Sequence, residues 1–149
     1  MANNAILWQT SPTSRGNANT TSLNSLANAA YSTVESAFDN TANSDQFACF
    51  EFICTSTVTV GAAAYVQIYL VQSVDGTNYE DAPSSSNPGT HMLYATINLN
   101  NSTALKRAIS PWVRIPPGKF KTVVYNAAGV ALPATGNSVI VYTDNDEVQ

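Results

Sequence analysis

The sequence predicts an all-β chain: a single-domain, jelly-roll-like antiparallel β-sandwich with an extended N-terminal arm and at most one short helix. The first observation is composition. Only 11% of the 149 residues are charged, against about 25% in an average soluble domain, and Asn, Ser and Thr replace the missing charge. Asn and Ser suit turns, Thr suits strands, and all three weaken helix interiors. The second observation is period: from Phe47 onward apolar residues recur at every second position, as in half-buried strands. The third is punctuation, since Pro, Gly and Asn clusters separate these runs and no helix-length pattern stands between them. A chain of this length suits one domain that buries about 68–70% of its unfolded surface.

Taken in order, residues 1–16 read as the arm, 17–143 as the jelly-roll core and 144–149 as an acidic tail. In "TTSLNSLANAAYSTV" Leu23, Leu26, Ala27, Ala30 and Val34 keep helical spacing behind the potential caps Thr21 and Ser22. The expectation is a short helix from Leu23 to Asn28, then a strand from Tyr31 to Phe38. Phe50, Phe52, Cys54, Val58 and Val60 alternate with a mixed face in one long strand, bent midway. "GAAA" is a tight connection to a second, antiparallel strand in which Val66, Ile68, Leu70 and Val74 alternate with Tyr65, Gln67, Tyr69, Val71 and Ser73. Asp75-Gly76 and "DAPSSSNPG" form a solvent-facing loop. Leu93, Ala95, Ile97 and Leu99 begin the next strand, followed by "ALKRAIS", "WVRI", the break "PPG", "KFKTVVYNAAG" and "VIVYT".

Charge and targeting signals narrow the function classes. A net charge of −4 argues against nucleic acid, which calls for a dense basic stripe. Arg15 is the sole basic residue before Lys106, and Lys106, Arg107, Arg114, Lys119 and Lys121 fall close together. No apolar run approaches a membrane span, and "MANNAILWQTSP" lacks the basic start and apolar core of a secretory signal. Synthesis in a cytoplasm and no membrane partner are the expectations. Cys49 and Cys54 are about 16 Å apart in an extended strand and on opposite faces, so both are expected to be reduced.

Reactive constellations are sparse. His91 is the lone histidine and has Ser84 to Ser86 near it in sequence, but no nucleophile elbow accompanies it. Glu51 and Glu35 are the carboxylates to test as a glycosidase pair, whose members stand about 5–10 Å apart. The EF-hand pattern is absent around Asp75, Asn78, Glu80 and Asp81, and a turn explains them without an ion. No metal site and no cofactor fingerprint is expected. Trp8, Trp112, Tyr65 and Tyr69 could form a sugar platform if they share one open face; burial in core or interface is the alternative.

The tracts "TSLNSLANAA", "AFDN", "VQIYLVQSVDGTNYEDA", "IPPGKFKTVVYNAAG" and "LPATGNSVIVYT", in that order, resemble small virion structural proteins of tailed bacteriophages, among them the jelly-roll decoration, or cement, proteins of the capsid. The resemblance covers most of the chain after Ala18. It implies a protein without catalysis, often a homotrimer, that binds the major capsid protein on the outside of an assembled head. It places the chain on the virion surface. A carbohydrate- or receptor-binding β-domain of a fibre, tail or baseplate is the alternative. Ile6, Leu7 and Trp8 are candidates for an anchoring arm, with Trp as hot spot, or else an ordinary strand. Trp112 and Arg114 beside "RIPPG" are candidates for a partner contact or for a structural corner, because Pro116 restricts both itself and Ile115.

Overall fold

The computed structural model describes residues 6–8, 12–81 and 87–148. Ser84 to Ser86 and residues 1–5 and 9–11 of the arm lie outside the described residues, as do the side chains of Ile6, Leu7 and Trp8. The strands are β1 (Ile6–Trp8), β2 (Thr13–Asn19), β3 (Ala30–Tyr31), β4 (Phe38–Asp39), β5 (Phe47–Thr59), β6 (Tyr65–Ser73), β7 (Leu93–Asn98), β8 (Thr103–Ile109), β9 (Val113–Arg114), β10 (Lys119–Ala127), β11 (Asn137–Asp144) and β12 (Asp146–Val148). Two 3-10 turns, Thr21–Leu23 and Thr90–Met92, complete the inventory of described elements.

One sheet runs β2-β11-β5-β8, with β9 also on β5; the other runs β3-β10-β6-β7, with β4 also on β10. If β3 and β4 are taken as one broken strand on β10, and β8 and β9 as another on β5, the sandwich has eight. The first pairs with the eighth and the third with the sixth in one sheet, the second with the seventh and the fourth with the fifth in the other. Those pairings, all antiparallel, are the order of a jelly roll.

The core follows from the period-two pattern. Phe50, Phe52 and Cys54 of β5 face Val66, Ile68 and Leu70 of β6, and Ala95, Ile97, Phe120, Val124, Val139 and Val141 fill the space between the sheets. Fully burying each large side chain contributes about 1.5–3 kcal/mol. Polar ties join the sheets: Asn19 of β2 donates to the Thr122 carbonyl of β10 and accepts from the Thr122 hydroxyl, with both residues buried. Around Gly61 and Gly129 two connections meet, with the Gly61 N–H donating to the Ala128 carbonyl at 2.7 Å. A Cβ on Gly129, whose φ is +81°, would press on the Gly61 backbone at 3.3 Å.

Several expectations change. No helix spans Leu23 to Asn28. The chain makes one 3-10 turn, then adopts positive φ at Ser25 and Ala29, and the carbonyls of Leu26 and Ala27 are taken by the Asn126 amide instead of a helical ladder. The strand from Tyr31 to Phe38 is reduced to the two-residue pairings β3 and β4 on β10. Between them the Ser32 hydroxyl receives the Val124 N–H, and Glu35 turns back to Thr20 and Ser22.

β5 and β6 lie in different sheets, so "GAAA" is an arch across the sandwich and not a hairpin. Val74 falls beyond β6 and is fully exposed. Leu93 is also turned outward, because the β6–β7 register slips between Ile68 and Tyr69. Thr13 to Gly16 belong to a sandwich strand, and Asp144 ends β11. The backbone of Ile6–Trp8 pairs antiparallel with Asp146–Val148 in a separate two-stranded ribbon.

Candidate functional site: the outer face of the β2-β11-β5-β8 sheet

Alternation that sends Phe50 and Phe52 inward sends Cys49, Glu51 and Ile53 to the opposite face of β5. Register then sets their neighbours: Ile109 and Ile140 flank Glu51, Arg107 lies beside Ile53, and Tyr142 lies beside Cys49. At the centre Glu51, with a side chain 5% exposed, accepts from Arg107 Nε at 2.5 Å and from the Tyr142 hydroxyl at 3.0 Å. The hydrogen bond to Glu51, then its charge, raises the Arg107 pKa; the bond to Glu51 likewise holds the proton on Tyr142. Arg107 itself keeps 72% of its side chain in solvent.

Leu105 and Ile109 bracket Arg107 on edge strand β8 and are 61% and 63% exposed; Trp112, three residues beyond Ile109, is 38% exposed. The other side of β8 carries Ala104, Lys106 and Ala108. Phe52 stands opposite Ala108 and Cys54 opposite Lys106, so the bulk of Phe52 leaves room for an alanine. The larger Leu105 and Ile109 are displaced to the outside. Lys106 is buried, and its ammonium donates to the Ser102 carbonyl. An inward-pointing charge of this kind discourages strand addition along an edge.

The other site residues singled out in the sequence are scattered. Arg114 is exposed, with its guanidinium 5.7 Å from the Phe47 ring centroid. Nearby Ile115 is buried and the Pro116 carbonyl receives the Asn40 amide at 2.9 Å, as a structural corner requires. Tyr65 and Tyr69 share a face of β6 in the opposite sheet, far from the Trp112 edge in topology. Tyr69 is buried in a second small core with Val71, Met92 and Val123, beneath Tyr31, Val34, Tyr79 and Tyr125. Tyr31 meets Tyr125 at 4.6 Å and Tyr69 at 5.9 Å between ring centroids. Burial, then the neighbouring Tyr31, pushes the Tyr69 pKa up to about 12.

The loop after β6 is consequently more than a solvent-facing tip, because Tyr79 and Met92 cover that sheet and Tyr79 lies 4.3 Å from the Lys121 ammonium. Asp75 is consumed by its own turn, accepting from the N–H groups of Asn78 and Thr77 at 2.7 and 2.8 Å and from the Asn78 amide. Those backbone donors hold its carboxyl well below the ordinary range. Among the described residues no group of three His, Cys, Asp or Glu side chains is gathered for a metal.

His91 is exposed and stands 3.9 Å from Glu80. Glu35 accepts from the backbone of Thr20 and Ser22 and from the Thr20 hydroxyl, whereas Glu51 belongs to Arg107 and Tyr142. Thus the two carboxylates hold different structural partners. Cys49 and Cys54 are both buried and free. Leu105 and Ile109 are the residues that sequence reasoning missed. The available signal was the run "ALKRAI", whose alternation sends inward either Lys106 with the alanines or Arg107 with Leu105 and Ile109.

Compared with protein-family models, with curated proteins and with solved structures, the chain finds no match.

Proposed function

We propose that this protein is a non-enzymatic decoration protein of a tailed-phage capsid, binding the outer surface of the assembled head through its major capsid protein and stabilising the lattice. The observation that carries this reading is the outer sheet face, where apolar side chains stay exposed while the central carboxylate is already satisfied by Arg107 and Tyr142. Such a surface is equipped to adhere. The order of the phage-like sequence tracts supplies the choice of partner, and a jelly roll is a common capsid architecture.

The physical mechanism is linkage. A ligand that binds only the assembled lattice stabilises it by RT ln(1 + [L]/Kd), about 2.7 kcal/mol per site at a hundredfold excess over Kd. If copies associate, as the trimers suggested by the resemblance do, further contacts form at high effective concentration. The deciding experiment is co-sedimentation with purified heads that lack the protein. Saturable binding and a higher head melting temperature are expected; recovery of the protein entirely in the supernatant refutes the proposal.

A further inference from the structure

The charges that the outer face turns to solvent are basic, although the molecule as a whole is acidic. The chain carries −4 overall, yet the five strands of this sheet contain only two carboxylates, Glu51 and Asp144, each 4% exposed. Its solvent-facing charges are Arg107 and Arg114, and the apolar groups around them are Leu105, Ile109 and Trp112.

We infer that this face docks on an apolar surface bordered by carboxylates on the capsid lattice, with Leu105 and Ile109 as the central contacts. The inference rests on the proposed function and deepens it by naming the docking face and the partner's chemistry. Charge complementarity selects such a surface: Arg107 and Arg114 are the exposed charges of this face, so carboxylates at the border of the partner surface attract it and orient the encounter. Exposed apolar groups of this size need a desolvating counterpart, which a nucleic acid backbone does not provide. A second copy turned by a two-fold axis would present the same patch, whose carboxylates Glu51 and Asp144 are buried and leave Arg107 and Arg114 without an acidic counterpart. Pairing along the β8 edge is opposed by the inward Lys106. Contact through the face remains.

The test compares wild type, the double variant Leu105→Asp/Ile109→Asp, Arg114→Glu and the control Val74→Asp for co-sedimentation with heads at low and high salt. All four positions are exposed, and circular dichroism verifies that each variant is folded. The double variant is expected to lose at least about tenfold in affinity, as for central interface residues. Arg114→Glu is expected to bind more weakly and with a shallower salt dependence, and Val74→Asp to bind like wild type. If wild type binds and the folded double variant binds equally, the face assignment is overturned while the decoration function stands. If wild type itself fails to bind heads, the function falls and this face loses its partner.

Discussion

Arg107 Nε lies 2.5 Å from Glu51 Oε1, and the pair is asymmetric: the carboxylate is buried while the guanidinium remains largely in water. Removing the two partners therefore has unequal effects. Arg107→Ala strands a buried charge beside the Tyr142 hydroxyl, whereas Glu51→Gln leaves a cation that water solvates. Arg107→Ala is expected to lower the urea midpoint more than Glu51→Gln, with the double variant less affected than the sum. Equal, additive losses would show that the ion pair is incidental.

Glu35 sets an acid limit. Burial raises its pKa, but the Ser22 hydroxyl, the N–H groups of Thr20 and Ser22 and the Thr20 hydroxyl together bring it below its ordinary 4.5. A folded value below the unfolded one contributes stability that is present above pH 4.5 and is lost as pH falls through the folded value. Thermal scans from pH 6 to pH 2 should show a decline that is smaller in Glu35→Gln, which starts from a lower melting temperature at pH 6. An unchanged slope in the variant would assign the acid sensitivity elsewhere.

Tyr69 acts at the opposite end. Its folded pKa of about 12 exceeds the ordinary 10.0, so its contribution is complete below pH 10 and is lost as pH rises towards 12. Tyr142, through its bond to Glu51, and Tyr94, through burial, are raised as well, so phenolate absorbance should reveal a late-titrating fraction in the wild type that shrinks by one tyrosine in Tyr69→Phe. Titration of all tyrosines near pH 10 in the native protein would contradict burial of this ring.

Asn126 is fully buried; its amide donates to the carbonyls of Leu26, Ala27 and Val130, and its side-chain oxygen accepts the Ala128 N–H. Asn126→Asp keeps the shape but exchanges the donor for an acceptor among carbonyls. Stranding these groups should cost about 3 kcal/mol, read as a fall in the denaturant midpoint. A change within experimental error would mean that the segment at Leu26 is held by other contacts.

Cys49 and Cys54 should resist a thiol reagent in the native state and both react on unfolding. Burial raises the Cys49 pKa, partly countered by its bond to Ser110, and the Glu51 charge raises it further. Rapid native labelling of either thiol would contradict the packing of β5.

The sandwich was legible because burial on strands has a period of two, and Phe50, Phe52, Val66, Ile68 and Leu70 obey it. Three features were not. The helix expected after Leu23 depended on local spacing, and the distant Asn126 captured its carbonyls. Val74 continued an alternation that the strand itself did not continue. Leu105 and Ile109 face outward because Phe52, in another strand, occupies the space opposite Ala108. Each outcome was set by partners far along the chain, which local pattern does not encode.

Hydroxyl-radical footprinting of the free and head-bound protein tests docking most directly. Protection concentrated on Leu105, Ile109 and Trp112, with Tyr65 and Val74 unchanged, is the expected result. Protection confined to the opposite sheet, or none along β8 in protein that has bound, would contradict it.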